Sequence, residues 1–183
     1  MAKRKQYLWP FLKAEGLLEH VEQGIRAVCE FRDAHVDWTV SVRGYLLGVE
    51  VRPTRALTRY GSASPRGAGL IRITSLDISG WKRRDTILHE IAHLVTHHLY
   101  ARTVEPHGKQ WRAVATLLGA EPSATGADPV FAEAIEKARE KRLKIVARCA
   151  ECGYEILATR RTSKYTGTRY NHRGCGGLIV VVD

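Results

Sequence analysis

Apolar residues in this chain recur with two different periods. Between Ala14 and Arg32, Leu18, Val21, Ile25 and Val28 return every three or four residues, which predicts an amphipathic N-terminal helix with one buried face. Residues 38–42 and 47–51 alternate instead, as do 70–73 beyond a Gly/Ser/Pro-rich stretch, 60–67, that reads as a loop. These three runs predict a short three-stranded sheet. Helical spacing returns over 81–99 on Leu88, Ile91, Ala92, Val95 and Leu99, the pattern of a largely buried helix. Another helix is expected over 108–118 on Trp111, Val114, Ala115 and Leu118, with Gly119 as its stop.

Pro122, Ser123, Thr125 and Gly126 mark the end of a first domain at residue 127. Asp128 as N-cap and Pro129 as first helical residue then open a helix with Phe131, Ile135 and Ala138 on one side. It forms a basic connector over 128–145. Residues 146–183 read as strand, Cys-x-x-Cys knuckle, strand, polar loop, second knuckle and strand. That is a zinc ribbon, too small to fold on an apolar core alone. The fold class expected is α+β with this ribbon appended.

Composition narrows the class. A chain of 183 residues, 44% hydrophobic and 26% charged, suits one globular domain with a small appendage and excludes wholesale disorder. The longest aliphatic run, 178–182, is far short of the ~20 residues of a membrane span. Pro10 and Lys13 break the apolar part of the basic opening, so no signal peptide is read there. A cytoplasmic monomer without membrane partners is expected, nucleoid-associated in a bacterial or viral setting. The net charge is +10, and residues 137–173 carry 11 basic against 3 acidic groups. Such a block attracts polyanions by counterion release, or serves as a solvated basic helix.

The buried helix carries the chemistry. His89 and His93 are one turn apart on one face, about 6 Å along the axis, so both imidazoles can reach one ion. Glu90 lies beside them. The chain's own His and Glu content gives about 0.02 chance matches to His-Glu-x-x-His. Catalytic zinc takes a third protein ligand and leaves one position to water. His97 lies ~12 Å beyond His89 and is rotated away, so it and His98 read as ordinary polar residues near the helix end. His107, at the start of the next helix, is preferred as third ligand, with Glu105 the competing choice. A three-imidazole zinc lowers the pKa of its water to about 7, and Glu90 would be the general base for peptide hydrolysis.

These residues resemble the SprT-like zinc metallopeptidases, the Spartan-related family. The resemblance rests on His89-Glu90-x-x-His93, on His107-Gly108-x-x-Trp111, and on a terminal ribbon ending Cys175-Gly176-Gly177. It implies a small zincin-like domain, zinc held by His89, His93 and His107, a catalytic Glu90, and protein substrates on or near DNA, as in DNA–protein crosslink repair. It also strengthens His107 over Glu105.

Cys29 reads as a core thiol. Cys149, Cys152, His172 and Cys175 offer two knuckles with ligands at i and i+3, a set that suits a structural zinc. Members of the family commonly carry cysteine where His172 stands. Lys137 and Arg139 lead into Lys141, Arg142, Lys144 and Arg148, and the ribbon adds Arg160, Arg161, Lys164 and Arg169 with Tyr165 and Tyr170 among them. Cations for phosphate and aromatics for unpaired bases predict contact with single-stranded or branched DNA. Two other functions share these residues: a non-catalytic DNA-binding adaptor, and a regulatory peptidase that cuts one repressor protein.

Overall fold

The computed structural model describes residues 5–32, 38–100, 104–123, 127–159 and 170–182. They form two compact units, Met1–Phe131 and Ala132–Asp183. The first unit opens with β1 (Gln6–Tyr7), α1 (Leu8–Ala14), α2 (Leu18–Arg32) and α3 (Thr39–Leu47). Strands β2 (Glu50–Thr54), β3 (Gly61–Ser64) and β4 (Leu70–Thr74) follow, then α4 (Gly80–Tyr100) and α5 (Lys109–Leu117). Helix α6 (Pro129–Glu140) leads into the second unit, built on β5 (Lys144–Cys149), β6 (Glu155–Ala158) and β7 (Ile179–Val181). The chain is thus α+β, as expected, and no described helix is long and apolar enough to cross a membrane.

The first sheet is mixed, in the order β1-β2-β4-β3, with β2 and β4 parallel and the outer pairs antiparallel. It has four strands where three were expected. Residues 38–42, read as a strand, lie largely within α3, where Val42 and Leu46 are buried one turn apart. Residues 60–67, read as loop, contain β3 at the sheet edge. The N-terminal helix starts at Leu18 and not Ala14; α1 precedes it, with Pro10 in its first turn, where no intrahelical N–H is needed.

Helix α4 is the centre of the unit. Eleven of its side chains are buried, including Ile87, Leu88, Ile91, Leu94, Val95 and Leu99, so it is enclosed on more than one side. Val51, Ile71 and Ile73 from the sheet share its core with Val21, Ile25, Val28 and Cys29 of α2 and with Trp111, Val114 and Ala115 of α5. Asp128 ties down the N-terminal end of α4. Its carboxylate accepts the Ser79 N–H at 2.8 Å and, as the expected N-cap of α6, the Val130 N–H at 3.2 Å. Gly119, at φ +75°, ends α5 in the left-handed conformation that glycine adopts without strain.

In the second unit β5 is the middle strand, paired antiparallel with β6 and β7. Its apolar core is small: Ala147, Cys149 and Ile179, with Ile156 packed against them.

Candidate metal centres

Three imidazoles converge at the surface of α4. The Nε2 atoms of His89 and His93 are 3.2 Å apart, and His107 Nε2 lies 3.1 Å from the first and 3.0 Å from the second. Each Nε2 has a single in-plane position, either a lone pair or an N–H, so three such atoms cannot satisfy one another. A shared cation can. Tetrahedral zinc, with bonds of about 2.0–2.1 Å, requires nitrogens about 3.3 Å apart, close to these spacings. Burial holds His89 and His93 at a pKa of about 4, with the neighbouring imidazoles pushing the same way. Both are therefore neutral at pH 7, the form in which an imidazole can ligate a metal.

The third imidazole is delivered by an unusual turn. His107 has φ +59°, the one positive φ among the described non-glycine residues. The left-handed conformation costs a residue with a Cβ about 1–2 kcal/mol and accumulates at functional sites. Here it is enforced by a turn in which the Gly108 N–H bonds the Glu105 carbonyl at 2.9 Å, just before α5. Glu105, the competing ligand, is exposed and joins no metal-ligand cluster among the described residues. His98 stacks on Tyr45 with centroids 4.7 Å apart and meets Ser41 Oγ at 2.9 Å, an ordinary structural role.

Glu90 follows His89 but is only 6% exposed. Burial raises its carboxyl to about 7, against a lowering hydrogen bond from the Ala63 backbone and the charge of Arg59. Edge strand β3 supplies this environment. The Thr74 N–H bonds the Tyr60 carbonyl at 2.7 Å, and the antiparallel alternation that follows turns the backbone groups of Gly61 and Ala63 away from β4. Gly61 and Ala63 were missed in the sequence, where a Gly-Ser-Ala-Ser run carries no apolar signal.

The ribbon holds the second cluster. Cys149 and Cys175 sulfurs are 3.5 Å apart, and His172 Nδ1 lies 3.2 Å from Cys152 Sγ and 3.3 Å from Cys175 Sγ. The two knuckles repeat one geometry. The Gly153 N–H bonds the Cys149 carbonyl and the Gly176 N–H bonds the His172 carbonyl, at 3.1 and 2.8 Å, and both glycines have positive φ. His172 thus occupies the position of a first knuckle cysteine, with its ring stacked on Tyr154, centroids 4.5 Å apart. Hydrogen bonding from the Cys152 backbone lowers the Cys149 pKa. The Gly177 amide also favours the Cys175 thiolate, but hydrogen bonds with Cys152 and Cys149 outweigh it and raise that pKa to about 11. Without a cation the thiols cannot all ionise. Three sulfurs and one imidazole nitrogen, within 4.8 Å of one another, fit a structural zinc.

Of the residues expected to meet DNA, Lys141, Arg142, Lys144 and Arg148 are exposed, and Arg148 pairs with Glu155 at 2.6 Å. Arg160, Arg161, Lys164, Tyr165 and Arg169 lie outside the described residues.

The SprT-like family model matches residues 47–129, which contain the His89, His93, His107 cluster. Three similar proteins are each named Protein SprT. That of Pseudomonas fluorescens (strain Pf0-1) is 26% identical over 97 residues, 53% of this chain and 57% of its own. That of Pseudomonas entomophila is 28% identical over 99 residues, 53% and 57%. That of Pseudomonas aeruginosa (strain LESB58) is 28% identical over 97 residues, 52% and 56%. The chain thus spans little more than half the length of the relatives it matches. No solved structure gives a match.

Proposed function

With residues 47–129 belonging to the SprT-like family, we propose that this chain is a zinc-dependent endopeptidase acting on DNA-associated proteins, brought to them by its basic ribbon. The observation that carries the reading is the convergence of three imidazoles within 3.2 Å beside a buried glutamate. His89, His93 and His107 would hold the catalytic zinc, and Cys149, Cys152, His172 and Cys175 the structural one.

Zinc in such a site supplies a Lewis acid and lowers the pKa of water. Glu90 does the proton work. A carboxyl poised near pH 7 can take the proton of the attacking water and return it to the leaving amine. The Ala63 amide holds that carboxylate from one side. Among the described strands β3 is an edge strand, and its remaining outward main-chain groups offer donors and acceptors with which an extended peptide can pair, giving affinity with little side-chain selectivity.

Low selectivity requires that location choose the substrate. Residues 137–173 carry a net +8 in the sequence, and Lys141, Arg142, Lys144 and Arg148 are exposed at the start of the ribbon. Single-stranded or branched DNA is the partner that this charge and its interleaved tyrosines fit. The test compares cleavage of one protein tethered to single-stranded DNA with cleavage of the same protein free. Faster cutting of the tethered form, an advantage lost as salt rises, supports the reading. Equal rates at every salt concentration would remove DNA from it.

A further inference from the structure

Trp111 stands four residues after His107 on α5, and its indole packs against every imidazole of the cluster. Ring centroids lie 4.7 Å from His89, 5.2 Å from His93 and 4.5 Å from His107. The approach is edge-on to His89 and His107 and nearly parallel to His93, at 28°. The indole is 1% exposed, whereas all three histidines are partly exposed. Trp111 therefore lies on the protein side of the cage, opposite its open mouth. Its Nε1–H is buried and finds no acceptor among the described residues. A phenyl ring would fill much of this space without burying an unpaired donor, so solvation does not explain an indole here.

We propose that Trp111 is the positioning residue of the His89, His93, His107 centre: a rigid platform that holds the three rings in their convergent orientation and closes the underside of the site. The inference rests on the metal reading of that cluster. Three partly exposed imidazoles, one of them on a strained turn, have several rotamers each. A flat side chain touching all three restricts them together, which leaves less ordering to be done when the ion arrives. Closing the inner side also confines any fourth donor to the mouth, where water and a substrate carbonyl have access.

The test measures zinc affinity of the full chain by chelator competition in wild type, Trp111→Phe and Trp111→Ala, with His93→Ala defining the ribbon's separate contribution. Expected is a loss of about 10- to 100-fold at the histidine site in Trp111→Ala, with ribbon affinity and far-UV circular dichroism unchanged, and partial recovery in Trp111→Phe. Wild-type affinity in a folded Trp111→Ala would overturn the inference. A second readout does not depend on that variant folding. Cobalt loading should quench tryptophan emission in wild type by clearly more than in Trp111→Phe, and equal quenching would contradict the contact. A wild type with no ion at the histidine site would overturn the metal reading, and the inference with it.

Discussion

Gly61 on the sheet edge stands so close to Glu90 on α4 that a Cβ there would lie 2.9 Å from Glu90 Oε1 and 2.8 Å from Thr86 Cγ2. A side chain at residue 61 and the present position of the glutamate exclude each other. Gly61→Ala is therefore expected to displace the Glu90 carboxylate and lower peptidase activity about 100-fold, as an error of about 1 Å at a reacting group does. The overpacking cost is about 1–3 kcal/mol. Zinc content should not change, because the nearest neighbours of the new methyl, Thr86 and Glu90, are not among the three imidazoles. Activity, melting temperature and metal analysis on one preparation check all three expectations.

The buried glutamate also gives stability a defined pH dependence in zinc-free protein. Burial raises its pKa from the ordinary 4.5 to about 7, so between those values the folded state binds the extra proton and stability falls as pH rises. Glu90→Gln removes this dependence. The variant should match wild type near pH 4 and exceed it by about 3 kcal/mol above pH 7, measured by urea unfolding. His89 and His93 act oppositely. Their pKa values fall from 6.5 to about 4 on folding, so both proteins lose stability as pH drops through that window.

His107 holds a backbone conformation that glycine tolerates and alanine resists. In zinc-free protein, His107→Gly should be more stable than His107→Ala by about 1 kcal/mol in denaturant titration. Both variants should lose the ion at the histidine site and keep the one in the ribbon. Equal stabilities would mean that the turn relaxes once the imidazole is removed.

The ribbon has too little core to fold unaided, with Ala147, Cys149 and Ile179 as its buried cluster. A structural zinc contributes about 10–16 kcal/mol of binding free energy at pH 7. Chelation should abolish amide protection in β5, β6 and β7 in hydrogen exchange while protection in α4 persists. His172→Ala should reproduce that loss and His172→Cys should not, since the matching hydrogen bonds of the two knuckles make residue 172 equivalent to a first knuckle cysteine.

Helices α4 and α5 were legible in the sequence because long periodic runs have one reading, and the ligand spacings followed from them. Short runs have two. Over residues 38–42, Val40 and Val42 alternate with polar neighbours, but Val42 and Leu46 also stand one helical turn apart, and their burial selected the helix. Strand β3 was illegible for a different reason. Its sequence is Gly-Ser-Ala-Ser, without the apolar alternation by which strands are recognised, and at Gly61 the crowding by Glu90 and Thr86 leaves no room for a larger residue. The left-handed His107 and the orphaned Trp111 donor leave no trace in residue pattern, since both follow from the way α5 folds back on α4.

In the proposed reaction Glu90 would activate water beside an ion held by His89, His93 and His107. The direct measurement is the rate of peptide-bond cleavage by wild type and Glu90→Gln, each first shown to carry two zinc ions per chain. Wild type should cut, and Glu90→Gln should fall by at least about 100-fold with its metal retained, the scale of a lost general base. Equal rates, or no cleavage by fully loaded wild type, would contradict it.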